Sequence, residues 1–345
     1  MSDANQLDAT VLAPYLEANV PGFSTLEGID KFNTGQSNPT YLLRAKSGRY
    51  VLRAKPPGDL LKSAHQVDRE YRVMSALAGN GVPVPRMLHL SDENSPIGRM
   101  FYVMDYVEGR IFWDPSLAEL TSNQERAAIY DAMNETLAAL HSVDLAASGL
   151  EDFGKPGSYF DRQFGRWSKQ YRASQTDDVP DMERLLTWLE ANDAPDDGTV
   201  SLVHGDYRLD NMIFMPDAPR VAAVLDWELS TLGHPLADIA YQCMQWRLPP
   251  ASGFKGLGGV DRAAIGLPSE EAYVEAYCRR RGLDRVDGWT YCLAFSFFRL
   301  AAICQGVYKR AMDGNASNPE KARTYGQAVT LLAQLAVEMI DSQEK

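Results

Sequence analysis

The chain has 345 residues, of which 45% are hydrophobic and 23% charged, a balance ordinary for a globular protein of about two domains. Its formal net charge of −12 argues against a nucleic acid or an anionic membrane as the main partner, so an anionic substrate would need a local cluster of Arg and Lys. Neither a run of about 18 apolar residues nor a signal peptide is recognisable, so no membrane span is expected. The four cysteines are scattered, which favours buried thiols in a reducing, cytoplasmic compartment.

The N-terminal part of the chain begins with helical spacing and then changes to alternation. The predicted elements are a helix over 7–19, a turn-rich loop over 32–39, and a hairpin of strands 41–45 and 50–54. The loop contains a single glycine, Gly35. Ser37 and Asn38 could donate hydrogen bonds to a phosphate there, although a plain hairpin loop explains the same residues.

Alternation along the second strand of the hairpin places Val51 and Arg53 on one face. Residues 63–78 then have helical spacing, and Glu70 borders their buried face. A carboxylate at that position either pairs with Arg53 or is a solvated surface charge. Lys55 is a rival cation, but two prolines directly after it suggest that the strand ends there.

The remainder of the chain is mainly helical in spacing. A capping box begins a helix at Ser122, and further helices are predicted over 158–175, 181–192, 269–281, 288–312 and 319–341. The segment 158–175 interleaves aromatic rings with cations. It is either an amphipathic helix with a solvated face or a platform for an anionic or aromatic acceptor. In the second case the residues that contact the acceptor would be Tyr159, Arg162, Arg166 and Trp167.

The stretch 202–227 carries the residues with most chemical content. Two short apolar runs flank the polar loop His204-Gly205-Asp206-Tyr207-Arg208-Leu209-Asp210-Asn211, and the second run ends in Asp226-Trp227. Carboxylate and carboxamide oxygens at strand ends can hold a hard divalent cation, and a further carboxylate can receive a proton. This inventory is typical of phosphoryl transfer.

Two alternatives from other functional classes remain open. A catalytically silent nucleotide-binding module would share the fold but lack part of the site, whereas here Asp206, Asn211 and Asp226 are all present. A metal-dependent hydrolase could use His204, Asp206 and His234 as ligands, but Asn211 would then have no role.

The pattern His-Gly-Asp-x4-Asn followed by a strand ending in Asp-Trp resembles the aminoglycoside phosphotransferase and choline kinase-like family. The resemblance extends over nearly the whole chain. Within that family, the chain looks most like the kinase-like domains related to those fused to acyl-CoA dehydrogenases, through these segments: Gln36-Ser37-Asn38-Pro39-Thr40-Tyr41, Val51-Leu52-Arg53, Pro56-Pro57-Gly58, Ser63-Ala64-His65, Asp68-Arg69-Glu70-Tyr71 and Asp226-Trp227-Glu228.

The resemblance implies an α+β, two-lobed protein kinase-like fold. Residues 1–108 would form a small lobe with an antiparallel sheet and one main helix, and residues 109–345 a large, mainly helical lobe. ATP and Mg²⁺ would be the cofactors. A small hydroxylated molecule would be the acceptor.

The family roles transfer to single positions of this sequence. Asp206 would be the catalytic base, and Asn211 and Asp226 the magnesium ligands. The nucleotide would be bound by Ser37, Asn38, Val51, Arg53, Glu70 and the hinge residues Asp105, Tyr106 and Val107. The resemblance also places an Asp inside the next helix, Asp238, whose carboxylate would accept backbone N–H groups of the catalytic loop.

The acceptor is the least determined part of the prediction. The acyl-CoA dehydrogenase-related branch favours a hydroxyacyl-CoA or a similar metabolite, and the cations of 158–172 agree with an anionic acceptor. An aminoglycoside is the alternative, because a polycation would suit the net acidity of the chain.

Overall fold

The computed structural model describes residues 7–32, 38–58, 65–251, 253–314 and 319–343. The helices in these ranges are α1 Ala9–Asn19, α2 Val67–Leu77, α3 Asn123–His141, α4 Tyr159–Ser174, α5 Pro180–Ala191, α6 Leu236–Trp246, α7 Glu270–Arg281, α8 Trp289–Met312 and α9 Pro319–Gln343. The strands are β1 Leu26–Lys31, β2 Thr40–Ala45, β3 Gly48–Ala54, β4 Met87–Leu90, β5 Phe101–Asp105, β6 Ser201–Val203, β7 Met212–Phe214, β8 Val221–Val224 and β9 Thr231–Gly233.

The chain divides into two compact units. Unit 1 comprises Met1–Ile111, Val143–Glu151 and Asn211–Ser230, and unit 2 comprises Phe112–Ser142, Asp152–Asp210 and Thr231–Lys345. Unit 1 therefore takes in two short segments that lie far along the chain from its N-terminal part.

Unit 1 is built on a five-stranded antiparallel sheet in the order β1-β2-β3-β5-β4. β3 is central, and its buried Leu52 and Ala54 pack with Leu43 of β2 and Phe101 of β5. α1 places Leu12 and Leu16 in the same core. α2 packs on β4 and β5, because Val67, Val73, Met74 and Leu77 form an apolar stripe at helical spacing.

Unit 2 is mainly helical, with the two-stranded pair β6–β9 beside α3. α8 packs on α4, α6 and α9. By length and composition α8 could span a membrane, but 83% of its most apolar window is buried within the protein, as also occurs in core helices. The four cysteines, Cys243, Cys278, Cys292 and Cys304, are all buried in helices of this unit.

The predicted helices and strands of the described residues agree closely with the observed ones. Helix 158–175 is observed as Tyr159–Ser174, and helix 288–312 as Trp289–Met312. The helix predicted over 63–78 is observed as Val67–Leu77, and its first predicted residues, like Ser37 of the predicted phosphate loop, lie outside the described residues.

Candidate active site

The β7–β8 hairpin of unit 1 brings Asn211 and Asp226 to the same end. Met212 pairs with Val224, and the N–H of Leu225 donates to the carbonyl of Asn211 at 2.8 Å. Asp226 follows with φ +64°, a left-handed conformation that Asp tolerates better than most residues. Its carboxylate and the Asn211 amide supply oxygen ligands of the kind that Mg²⁺ prefers.

Arg53 of β3 is the central cation of unit 1. Its Nε lies 3.1 Å from Oε2 of Glu70, and its Nη2 lies 2.6 Å from Oδ1 of Asp226. Glu228 is further away, at 3.7 Å. The Arg53 side chain is 12% exposed, so its ion pairs lie largely out of bulk water, where solvent reduces the Coulombic attraction less.

Glu70 of α2 is fully buried and therefore needs several donors. Besides Arg53, Nδ2 of Asn38 donates to Oε1 at 2.8 Å and the hydroxyl of Tyr102 donates to Oε2 at 3.2 Å. Burial raises the pKa of Glu70 to about 7, although Arg53 acts in the opposite direction. Asn38 is itself buried, and its Oδ1 lies 2.9 Å from Nδ1 of His65.

The rival cation Lys55 has a different environment. Its Nζ lies 2.5 Å from Oε1 of Glu93, a side chain that is 59% exposed. Val51 lies two residues before Arg53 on β3 and is buried opposite Met104. The geometry of β3 thus distinguishes a buried, multiply paired Arg53 from a peripheral Lys55.

The predicted hinge, residues 105–107, follows β5 directly. The backbone N–H of Asp105 donates to the carbonyl of Arg86 at 2.9 Å, and the Asp105 carboxylate pairs with the Arg86 guanidinium. The Tyr106 ring lies 4.3 Å from the guanidinium carbon of Arg49. These contacts hold both the backbone and the side chains of Asp105 and Tyr106.

In unit 2, Asp206 lies in the loop that follows β6. Its backbone N–H donates to Nδ1 of the fully buried His204 at 3.2 Å, so His204 holds the loop. Nε of Arg208 lies 3.7 Å from the Asp206 carboxylate. Burial and the negative charge of Asp206 raise the pKa of Tyr241, which therefore keeps its proton and donates a hydrogen bond to Asp206.

Asp238 of α6 holds the loop that contains Asp206. Its carboxylate accepts the backbone N–H of His204 at 2.6 Å and of Gly205 at 2.8 Å. The Nε2 of His141 lies 3.3 Å away. The loop is also held by Arg299, whose Nη2 donates to the Gly205 carbonyl at 2.7 Å.

The tautomer of His141 follows from its partners. Its Nδ1 lies 2.7 Å from the hydroxyl of Tyr277. Burial lowers the pKa of His141, so the ring is neutral and one nitrogen accepts while the other donates. Since Asp238 can only accept, Nε2 donates to Asp238 and Nδ1 accepts from Tyr277.

Asp238 makes stability depend on pH at the acid end. Burial by itself would raise its pKa, but the hydrogen bonds from His141 and the loop N–H groups bring the pKa below its ordinary value of 3.8. Ionised Asp238 therefore stabilises the fold above that value, and the contribution is lost as the pH falls through the lowered pKa. We expect the difference in melting temperature between the native chain and Asp238→Asn to be constant above about pH 5 and to shrink below it. Paired thermal scans from pH 7 to pH 3 measure this; a difference that widens on acidification contradicts it.

The aromatic members of α4 lie in the core of unit 2. Tyr159 and Trp167 are buried, while Arg166 is exposed and Arg162 donates to the Pro156 and Lys155 carbonyls. This distribution fits the amphipathic-helix interpretation of the segment. It adds no support to α4 as an acceptor platform.

The hydrolase alternative gains no support from the described residues. Among residues 7–32, 38–58, 65–251, 253–314 and 319–343, no group of three or more His, Cys, Asp or Glu side chains is arranged to hold a metal ion. His204 uses its Nδ1 within the loop, and His234 pairs with Asp197 at 3.3 Å.

Sequence reasoning missed four residues of these two networks. Tyr102, His65 and Tyr241 carry no local signal, because a buried polar side chain in a strand, a loop or an apolar helix can serve many purposes. Arg299, within the helix predicted over 288–312, is buried against the loop. An Arg in the middle of an apolar helix is the one signal that could have indicated a buried partner.

Comparison with known proteins identifies the family and the fold. Residues 28–289 match the family model described as the phosphotransferase enzyme family. The chain is 49% identical over 307 residues to mouse acyl-CoA dehydrogenase family member 10, which covers 89% of this chain and 28% of that protein. It is 42% identical to human acyl-CoA dehydrogenase family member 11, covering 97% of this chain and 43% of that protein. The chain thus spans less than half the length of these curated relatives.

Solved structures show the same fold. A Ralstonia eutropha protein, which its description proposes as an aminoglycoside phosphotransferase, superposes with a TM-score of 0.87 at 46% identity, covering 98% of this chain and 99% of that one. The aminoglycoside phosphotransferase APH(4)-Ia, solved with ADP and hygromycin B, superposes at 0.62 with 16% identity, over 97% of this chain and 99% of that one. The predicted α+β, kinase-like fold is therefore confirmed. The chain belongs to the phosphotransferase enzyme family.

Proposed function

We propose that the chain transfers the γ-phosphate of Mg-ATP to the hydroxyl of a hydroxyacyl-CoA. The observation that carries the acceptor class is the 49% identity to an acyl-CoA dehydrogenase family member of which the chain spans only 28%. The relatives with this similarity thus combine a region like the present chain with a further, longer region in a protein named for acyl-CoA chemistry. An aminoglycoside remains the alternative acceptor, since family neighbours bind hygromycin B.

The residues of unit 1 supply the nucleotide part of the reaction. Arg53 contacts the nucleotide phosphates and is oriented by Glu70, and Val51 covers the adenine. The backbone of residues 105–107 binds the adenine edge. Ser37 of the predicted phosphate loop belongs to the same proposal.

The metal ligands of unit 1 are Asn211 and Asp226. Their oxygens would hold Mg²⁺, which supplies charge neutralisation at the phosphates when bound. Oδ1 of Asp226 already pairs with Nη2 of Arg53. The carboxylate therefore lies where it can bind a positive charge.

In unit 2, Asp206 accepts the proton of the acceptor hydroxyl. The hydroxyl oxygen then forms a bond to the γ-phosphorus, the bond from that phosphorus to the bridging oxygen breaks, and ADP leaves. Catalysis by this set relies on positioning and electrostatics rather than on a covalent intermediate.

The choice between Arg53 and Lys55 gives a direct test of the nucleotide site. We expect Arg53→Met to weaken Mg-ATP affinity about 10- to 100-fold, the range of one charge-assisted hydrogen bond. Lys55→Met, which removes an exposed pair with Glu93, is the matched control and should leave affinity within about twofold. Titration calorimetry measures both; equal losses would remove Arg53 from its assigned role.

Phosphorus NMR tests the acceptor class. The protein is incubated with Mg-ATP and, in separate samples, a hydroxyacyl-CoA, the same acyl-CoA without the hydroxyl, an aminoglycoside and a sugar. A new phosphomonoester signal with the hydroxyacyl-CoA alone supports the proposal. A signal with the aminoglycoside alone establishes the alternative, and ATP binding without transfer to any of them favours the catalytically silent module.

A further inference from the structure

We propose that Asn38 and His65 are positioning residues for Arg53, acting through Glu70. The inference rests on the proposed function, in which Arg53 contacts the nucleotide phosphates. Asn38 precedes β2 and His65 precedes α2, so the two residues join separate parts of unit 1 behind the Arg53–Glu70 ion pair.

The directions of the hydrogen bonds follow from the chemistry of the partners. Oε1 of Glu70 accepts from Nε of Arg53, which can only donate, so Oε1 is an acceptor and Nδ2 of Asn38 must face it, at 2.8 Å. The Asn38 Oδ1 then faces His65, at 2.9 Å, and can only accept. The Nδ1 of His65 therefore carries the proton and donates. Each bond in the series fixes the orientation of the next group.

The network matters because Arg53 has competing partners. Glu70 lies at its Nε, whereas Asp226 and Glu228 lie at its Nη2. Glu70 can hold the guanidinium in one plane only if its own carboxylate is fixed. Asn38 and Tyr102 provide that restraint with one donor on each oxygen. Without the Asn38 donor, Oε1 of Glu70 would keep its hydrogen bond from Nε of Arg53, which at 3.3 Å is the longer of the two.

The backbone of His65 supports a dedicated role. Its φ is +59°, in the left-handed region that few non-glycine residues adopt, although His, like Asn and Asp, is enriched there. The ring of this residue is hydrogen-bonded to the buried amide of Asn38. Sparsely populated backbone conformations are concentrated at functional sites, where the surrounding structure holds them.

The left-handed backbone also makes a matched pair of variants available. Glycine and asparagine both tolerate φ +59°, but only asparagine has a side-chain N–H near the position of Nδ1. We expect His65→Gly to weaken Mg-ATP affinity about three- to tenfold, the equivalent of one net hydrogen bond. His65→Asn should restore affinity to within about twofold of the native chain. Both variants should keep kcat at saturating nucleotide, so that the loss appears in KM.

A double-mutant cycle tests whether Asn38 and His65 act on Arg53 through one series of hydrogen bonds or independently of each other. Asn38→Ala should lower affinity by a similar factor, and His65→Gly should add nothing further in that background, since its partner is gone. Asn38→Asp, which replaces the donor to Glu70 by a second carboxylate, should lower affinity even if His65→Gly does not fold. His89→Ala is the control: it removes a 3.0 Å hydrogen bond to Tyr15 in the same unit and should lower the melting temperature without changing affinity.

Titration calorimetry with Mg-ATP decides between the outcomes. Additive losses in the cycle, or His65→Gly with native affinity, would overturn the inference while the native chain still binds Mg-ATP. A native chain that does not bind Mg-ATP would instead contradict the proposed function.

Discussion

Asp206→Asn should reduce the turnover number by about 10²–10⁴-fold, the usual contribution of a positioned general base. The substitution conserves volume and keeps an oxygen for the hydroxyl of Tyr241, so the loop that His204 and Asp238 hold should remain folded. Mg-ATP affinity and melting temperature should therefore stay close to native values. Steady-state kinetics with the acceptor found by phosphorus NMR measures the effect.

Asp210→Asn is the control for that experiment. Asp210 lies in the same loop and pairs with Arg208, which also approaches Asp206 at 3.7 Å. Its loss disturbs the loop charge without removing the proton acceptor, so turnover should change by less than about tenfold. If Asp206→Asn is no slower than Asp210→Asn, Asp206 is not the base.

Asp238→Ala should destabilise the chain by about 3–5 kcal/mol, the cost of removing one partner from a buried charged network. The side chain is 1% exposed, and its removal leaves the N–H groups of His204 and Gly205 and the ring of His141 without their acceptor. Buried unsatisfied donors account for most of this cost. Chemical denaturation of the native and variant chains measures it as a shift of the midpoint.

Asp131→Ala is the matched control for stability. Asp131 pairs with Arg280 at 2.7 Å, but the Asp131 side chain is 63% exposed and the pair is screened by solvent. The expected loss is at most about 1 kcal/mol. Equal midpoint shifts for the two variants would show that the buried position of Asp238 gives it no special role in stability.

The residues whose partners could be predicted lie in regular helices and strands, where hydrophobic spacing gives the direction of each side chain. Helical spacing placed Glu70 at the edge of a buried face, and strand alternation placed Arg53 on one side of β3; the structure contains the ion pair between them. Asp238 likewise accepts backbone N–H groups of the loop, as the family resemblance implied. In each case one residue sits in a regular element whose orientation the sequence determines.

Asn38 shows where this reasoning stops. A polar residue in a turn-rich loop was expected to donate to phosphate, but its amide is buried between Glu70 and His65. Whether Asn38 faces a phosphate or Glu70 depends on how residues 38, 65 and 70 meet in space. Their spacing in the sequence follows no helical or strand period, so it does not predict that contact. For the same reason the sequence identifies neither the role of Tyr241 nor the partner of Arg299, because each reaches the Asp206 loop from a helix far along the chain.

Most element boundaries were predictable because hydrophobic period and end signals agree. The division into units was less so: residues 211–230 contact the N-terminal part of the chain, although they follow 59 residues of unit 2 in sequence. Long-range contacts of this kind leave no compositional trace.

The placement of the cysteines gives unit 2 its own chemical reporters. All four thiols lie in α6, α7 and α8, and burial raises the pKa of Cys304 to about 12, so the native thiols are poor nucleophiles. A thiol reagent can modify them only when the helices open locally. The alkylation rate of the folded protein therefore measures the opening of these helices in unit 2, and unit 1, which holds no cysteine, contributes nothing to the signal.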